Sequence, residues 1–160
     1  MPAVSNTSPL NYLIQIGQVE LFQRLYGRIA VPDAVIRELQ HTKSPEAVRN
    51  WAARIPEWVE VRTPAEKPDI AITHLGSGEL AAILLAQEIG ADVLVIDERA
   101  GYIEAQNRGL QVTGTLGVLD KAANLGLIDF KETMMRLLTA TNFRIRRETA
   151  EMLLNSHGPR

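Results

Sequence analysis

The sequence predicts one α/β domain of 160 residues, a three-layer α/β/α sandwich with a central parallel sheet and additional helices at the C-terminus. The first observation is the unbroken apolar run 93–96, which is typical of a central parallel strand covered on both faces. The second is that strand-like segments alternate with helical segments over short connections, which favours a parallel sheet between helical layers. At this length, folding buries roughly 68–70% of the unfolded chain's surface, so a full core is expected.

The composition is that of an ordinary globular protein, with 46% apolar and 22% charged residues. The absence of cysteine excludes disulfides and thiolate zinc sites. No apolar run approaches the roughly 20 residues of a membrane span. Met1 is followed by Pro2-Ala3-Val4 without a basic segment, so no export signal is predicted. We therefore expect a cytoplasmic protein that does not associate with membranes.

The N-terminal half is predicted to alternate short strands with helices. Ser8 before Pro9 has the pattern of an N-cap followed by proline in the first helical turn. Gly27 is expected to end the second helical segment. The predicted elements are a strand at 2–5, helices from residue 9 and across 19–25, a strand at 28–31, helices from 32 and from 44, a strand at 59–61 and a loop at 63–73.

The C-terminal half begins with a segment from Glu79 to Ala86 that is apolar almost all round, which predicts a buried helix. The elements expected after it are strands at 93–96 and 110–113 and helices at 100–107, 115–125, 130–141 and 146–155. We divide the domain 1–160 into a core, 1–128, and a helical extension, 129–160.

Charge is unevenly distributed along the chain, whose net charge is −2. The segment 131–160 holds six basic and three acidic residues, or +3, which leaves −5 for residues 1–130. A basic tail that includes Arg144, Arg146 and Arg147 suggests contacts with RNA phosphates or an acidic partner, and a solvated helix face explains it equally well.

In parallel sheets, ligands bind beyond the carboxyl ends of the strands, so residues that follow strands or open helices are candidates. Four polar residues are selected: one after the first strand, one within the third helix, one at the start of the buried helix and one after the central strand. They are Asn6, Glu38, Glu79 and Asp97. Asn6 could instead cap the first helix, and Glu38 could be an ordinary exposed helix residue. The carboxylate of Glu79, in a first helical turn, would interact favourably with the helix dipole whatever its function. Asp97 closes a buried strand, so its carboxylate must find a partner, a cap or a metal.

Convergent carboxylates would favour a bound cation. Mg²⁺ and Mn²⁺ take oxygen ligands and keep several waters, so a few carboxylates suffice. Carboxylates that are forced together repel one another unless a cation neutralises them. Such a metal can polarise a phosphodiester and generate hydroxide, which hydrolysis of RNA or DNA requires.

Several blocks of the chain, in this order and spacing, resemble the signature blocks of the PIN domain. They are Ser5-Asn6-Thr7-Ser8-Pro9-Leu10, Val31 to Leu39, Gly78-Glu79-Leu80-Ala81-Ala82 and Val93 to Glu98. Val112 to Leu119 is similar to a block of a bacterial and archaeal subgroup that includes many toxin-like members. The resemblance covers about residues 1–128.

This resemblance implies a metal-dependent endoribonuclease that cleaves single-stranded RNA, often as the toxin of a toxin–antitoxin pair. It implies a quartet of Asn6, Glu38, Glu79 and Asp97 that binds Mg²⁺ or Mn²⁺, a small antitoxin partner and a homodimer. Asn6 departs from the family pattern, which usually has aspartate there, so the cluster loses one charge.

Two alternatives stay open at this point. Because Asn6 replaces an aspartate, the chain could be a catalytically weakened PIN-like module that binds RNA or a protein. A receiver-like signalling domain with an acidic pocket is weaker, because no lysine follows the last strand where such a domain would need one.

Overall fold

The computed structural model describes residues 3–67 and 74–158. The strands in these stretches are β1 (Ala3–Ser5), β2 (Ile29–Pro32), β3 (Val59–Arg62), β4 (Val93–Val95) and β5 (Val112–Thr113). The helices are α1 (Thr7–Gln15), α2 (Leu21–Tyr26), α3 (Asp33–Leu39), α4 (Glu46–Ala53), α5 (Ser77–Ile89), α6 (Arg99–Asn107), α7 (Thr115–Asn124), α8 (Phe130–Ala140) and α9 (Arg147–Ser156). Residues 68–73 of the predicted loop, and Pro2 of the predicted first strand, lie outside the described residues.

All five described strands are parallel and form one sheet in the order β3-β2-β1-β4-β5. From β1 the chain moves outward through β2 and β3, then returns to the other side of β1 with β4. The direction of winding therefore reverses between β1 and β4. This reversal opens a crevice at the carboxyl ends of these two strands, and the predicted fold class is confirmed.

Apolar side chains cover both faces of the sheet. Because successive strand residues point to opposite faces, Ala3 and Val95 belong to one core while Val4 and Leu94 belong to the other. The first core is completed by buried residues of α1, α2, α3, α4, α7 and α8, and the second mainly by α5. As predicted, α5 is buried almost all round, with every residue from Leu80 to Ala86 buried.

The C-terminal helices pack on the α1 and α7 side. α8 buries Phe130, Met134 and Leu137 in the first core. No residue of α9 is fully buried, but a 2.6 Å contact joins His157 to Asp120 of α7. In the connection between α8 and α9, Phe143 and Ile145 pack against the first core.

The first helix begins earlier than the sequence suggested. It starts at Thr7 with Asn6 in the N-cap position, so the assignment of Ser8 as N-cap is wrong. Pro9 then lies in the first helical turn, where its missing N–H has no intrahelical partner to lose. Among the described residues, no helix combines the length and apolarity that spanning a membrane requires.

Candidate active site

Asn6 lies at the crevice between β1 and β4. Its backbone N–H donates to the carbonyl of Val95 at 2.9 Å, which continues the pairing of the two strands by one residue. This contact fixes Asn6 beside the residues that follow β4. The residue is 1% exposed, so its amide has left bulk water and needs partners within the protein.

The Asn6 side chain does not cap α1. Its Nδ2 donates to Oε2 of Glu98 at 3.1 Å, while its Oδ1 is buried and has no hydrogen-bond donor among the described residues. An unsatisfied buried carbonyl costs roughly 1–3 kcal/mol, so Oδ1 is an open acceptor site for a cation or a donor. Asn6 thus occupies the N-cap position, but the alternative in which its side chain caps the helix is wrong.

Glu98 is the functional candidate that sequence reasoning missed. Besides the Asn6 amide, it accepts a 2.6 Å hydrogen bond from the Ser8 hydroxyl at Oε1. Both of its oxygens therefore face the start of α1. Asp97 and Glu98 are adjacent in sequence, and consecutive side chains leaving a strand point in different directions. The sequence alone offered only the Asp97-Glu98 pair as a signal.

Asp97 is turned toward α7 instead. Its Oδ1 accepts from the Thr115 N–H and its Oδ2 from the Thr115 hydroxyl, both at 2.7 Å. The absence of a side chain at Gly114 permits this approach, since a Cβ there would lie 2.7 Å from Oδ1. Asp97 thus joins the end of β4 to the N-terminus of α7. This geometry favours a positioning role over the predicted role as a metal ligand.

Glu79 lies in the first turn of α5, as predicted. The Gly76 N–H donates to its carboxylate, so one oxygen satisfies the start of its own helix. Its Oε2 faces α6, where a Cβ on Gly101 would approach within 3.0 Å. Glu79 therefore lies between the starts of α5 and α6.

Glu38 reaches the same region from α3. Its Oε2 accepts a hydrogen bond from the Thr7 hydroxyl. The carboxylate passes close over Gly78, where a Cβ would lie 2.5 Å from Oε1. Glu38 is the most exposed of the four predicted residues, so it lies at the rim of the crevice.

The acidic groups interact across the crevice. Burial raises the pKa of the Glu79 carboxyl, and the negative charges of Glu98 and Glu38 raise it further. Burial also raises the pKa of Asp97, against the hydrogen bonds from Thr115. In the part of the chain that the structure describes, no ion pair joins a basic side chain to Glu38, Glu79, Asp97 or Glu98. Their mutual repulsion is therefore not relieved by a salt bridge.

The carboxylates do not gather around a single point. Over residues 3–67 and 74–158, no three side chains of His, Cys, Asp or Glu are arranged to hold a metal ion. The predicted quartet is instead divided, with Asn6 bonded to Glu98, Glu38 to Thr7 and Asp97 to Thr115. The crevice is an oxygen-rich edge rather than a closed carboxylate cage.

A cleft of about 440 Å³ adjoins the acidic residues. Asp97 and Glu98 line it together with Tyr12, Tyr102, Phe143 and Arg144. Burial and the charges of Asp97 and Glu98 raise the pKa of Tyr12, so its phenol stays protonated at neutral pH. A larger cavity of about 770 Å³ between α5 and α6 contains none of the four acidic residues.

Comparisons with known proteins agree with this architecture. A family model, DUF3368, described as a PIN domain, matches residues 2–159. A PilT N-terminus domain protein from the hyperthermophilic archaeon Sulfolobus solfataricus P2 is similar in structure, with a TM-score of 0.54, 16% sequence identity, and coverage of 91% of this chain and 100% of that chain.

A domain of a functionally unknown protein from Methanocaldococcus jannaschii DSM 2661 has a TM-score of 0.46 and 20% identity, over 71% of this chain and 91% of that chain. The search of curated proteins gave no match. The family model covers nearly the whole sequence, and the chain therefore belongs to the PIN-domain family, whose members are typically nucleases.

Proposed function

We propose that this protein is a Mg²⁺- or Mn²⁺-dependent endoribonuclease that cleaves single-stranded RNA. The observation that carries the proposal is the buried Oδ1 of Asn6, which has no donor among the described residues. The same amide is bonded to Glu98, whose negative charge raises the pKa of Glu79. A hard cation would satisfy this oxygen and relieve the repulsion between the carboxylates.

The residues present fit such a cation in their chemistry. Asn6 offers a neutral carbonyl oxygen, and Glu79 and Glu98 offer carboxylates, with Glu38 at the rim. Mg²⁺ is commonly held by only one or two carboxylates, because waters and substrate phosphates supply the other ligands. The lack of a three-carboxylate group among the described residues is thus compatible with a site that is completed by substrate.

The bound metal would polarise a phosphoryl oxygen and lower the pKa of a coordinated water. The chain's own residues orient the ligands. The Asn6 amide and the Ser8 hydroxyl hold the two oxygens of Glu98, and the Thr7 hydroxyl holds Glu38. Asp97 acts through Thr115 by fixing α7 against the end of β4. Such supporting hydrogen bonds set ligand orientation, and their loss usually costs metal affinity.

A catalytically weakened module that binds RNA or a protein is the second candidate. It is favoured by the amide at position 6, which removes one negative charge from the metal ligands that the family usually has. A role as the toxin of a toxin–antitoxin pair, with a small antitoxin partner and a homodimer, stays a prediction from the family resemblance.

The test is cleavage of a mixed-sequence single-stranded RNA with Mn²⁺ or with EDTA, by wild type, Glu98→Gln and Glu57→Gln. Glu57 is an exposed glutamate that precedes β3, at the opposite end of the strands, and serves as the matched control. We expect Mn²⁺-dependent cleavage that Glu98→Gln abolishes and Glu57→Gln preserves. Cleavage that persists in EDTA, or equal rates for Glu98→Gln and wild type, would contradict the proposal.

A further inference from the structure

The cleft beside Glu98 combines features that suit a nucleotide. Three aromatic side chains line it: Tyr12 from α1, Tyr102 from α6 and Phe143 from the segment between α8 and α9. Its volume of about 440 Å³ lies within the usual range for small-molecule sites. Aromatic rings bind unpaired bases by stacking, with little preference for sequence.

The aromatic residues are held in place by contacts within the protein. The rings of Tyr12 and Phe143 meet edge to face at 5.0 Å between centroids. The hydroxyl of Tyr102 donates to the carbonyl of Val112 in β5 at 3.3 Å. The Phe143 N–H donates to the hydroxyl of Thr141. A rigid aromatic wall loses little conformational entropy when a ligand binds.

Arg144 brings a positive charge to the same cleft. Its side chain is exposed and pairs with no carboxylate among the described residues, whereas Arg147 is engaged by Glu151 at 3.1 Å. Glu98 and Asp97 also line the cleft, and their negative charges would repel phosphate. The charges thus favour an uncharged base near the carboxylates and a phosphate near Arg144.

We infer that this cleft binds one unpaired nucleotide of a single-stranded RNA substrate, with the base against Tyr12 and Phe143 and a neighbouring phosphate on Arg144. The inference rests on the proposed function, because it assigns the substrate path to the same site. It also gives the C-terminal extension a role, since the segment after α8 delivers Phe143 and Arg144 to the acidic edge. Duplex RNA would be excluded because its bases are paired and stacked.

The test measures equilibrium binding of a fluorescein-labelled oligouridine in EDTA, where the proposed reaction cannot proceed. The variants are Phe143→Leu, which keeps an apolar side chain without a ring, and Arg144→Ala. Arg146→Ala is the matched control, since Arg146 is exposed, lies two residues away and does not line the cleft. Thermal melts verify that each variant is folded.

We expect Phe143→Leu to weaken binding about tenfold, the usual effect of losing one stacked base. Arg144→Ala should reduce the slope of log affinity against log salt by about one, as expected for one phosphate contact. Arg146→Ala should match wild type. An oligouridine of the same length in duplex with oligoadenine should bind wild type more weakly than the single strand.

Wild-type affinity in both Phe143→Leu and Arg144→Ala, with both variants folded, would overturn the inference. Equal losses in Arg144→Ala and Arg146→Ala would also overturn it, because the segment would then act only through general charge. The two proposals can fail separately. If the protein shows no Mn²⁺-dependent cleavage but its cleft variants still weaken RNA binding, the proposed function is contradicted and the inference about the cleft is not.

Discussion

Asn6 and Glu98 follow neighbouring parallel strands, and the Asn6 amide donates a 3.1 Å hydrogen bond to the Glu98 carboxylate. This bond fixes the orientation of the amide, because a carboxylate accepts hydrogen bonds and the NH₂ group supplies them. The Asn6 carbonyl is then directed away from Glu98 and left without a donor among the described residues. This unpaired carbonyl is the oxygen that the proposed function assigns to the metal.

The first prediction separates the two acidic residues that follow β4. Glu98→Gln should weaken Mn²⁺ binding about tenfold or more, because it removes a charge that faces Asn6 and Glu79. Asp97→Asn should weaken it less, because that carboxylate is engaged by Thr115. Calorimetric titration of both variants provides the comparison. A greater loss in Asp97→Asn would restore Asp97 as the ligand expected from the sequence.

A second prediction concerns the Asp97–Thr115 contact. Thr115→Val has nearly the same shape but lacks the hydroxyl, so a largely buried carboxylate loses one hydrogen bond. The free energy of unfolding should fall by about 1–3 kcal/mol. Thr115→Ser keeps the hydroxyl and should retain most of the stability. Urea denaturation of the two variants measures the difference, and equal losses would show that the hydroxyl does not matter.

The outline of the fold could be predicted because its signals are local. The apolar run 93–96 and the apolar segment that starts near Glu79 contain enough information to place a central strand and a buried helix. The choice between Asp97 and Glu98 could not be predicted, because it depends on how two adjacent side chains leave the strand. The roles of Phe143 and Arg144 depend on where α8 and α9 pack, which no local pattern specifies.

A third prediction uses the close approach of Glu38 to α5. In Gly78→Ala the new Cβ would lie 2.5 Å from Oε1 of Glu38, so the glutamate side chain must move. Alanine stabilises a helix interior relative to glycine by up to about 1 kcal/mol, and smaller gains are expected in a first turn. We therefore expect an intact fold with slower cleavage. Melting temperature and cleavage rate are the readouts, and an unchanged rate would place Glu38 outside the reaction.

The matched substitution at Gly114 should behave differently. A Cβ there would lie 2.7 Å from Oδ1 of Asp97, which Thr115 holds at both oxygens, and 3.4 Å from the backbone carbonyl of Ile96. Gly114→Ala should therefore lower the melting temperature, whereas Gly78→Ala should not. Equal melting temperatures for the two variants would contradict the rigid role of Asp97.

A fourth prediction is a pH dependence of the metal-free protein. The folded pKa of Glu79 lies above its ordinary value of 4.5, mainly because of burial and then because of Glu98. The stability that protonation of Glu79 contributes is thus fully present below pH 4.5 and is lost as pH rises through the folded pKa. Glu79→Gln should reduce this loss. Urea denaturation of wild type and Glu79→Gln from pH 4 to pH 8 in EDTA measures the free energy of unfolding at each pH. If the free energies of the two proteins change with pH in parallel, the raised pKa of Glu79 is contradicted.

The claim that residue 6 binds the metal leads to the last prediction, the substitution Asn6→Asp. The change adds a carboxylate of equal size and removes the donor to Glu98, so the metal-free protein should be less stable. The added charge should tighten Mn²⁺ binding. At a Mn²⁺ concentration 100 times the Kd, binding stabilises the fold by about 2.7 kcal/mol, or roughly 5–11 °C in Tm.

The most direct measurement is the rate of Mn²⁺-dependent cleavage of a mixed single-stranded RNA by wild type, Asn6→Asp and Asn6→Asp/Glu98→Gln. We predict that Asn6→Asp cleaves faster than wild type and that the added Glu98→Gln change abolishes the gain. Equal rates for wild type and Asn6→Asp, with equal stabilisation of the two by Mn²⁺, would place residue 6 outside the site and contradict the account.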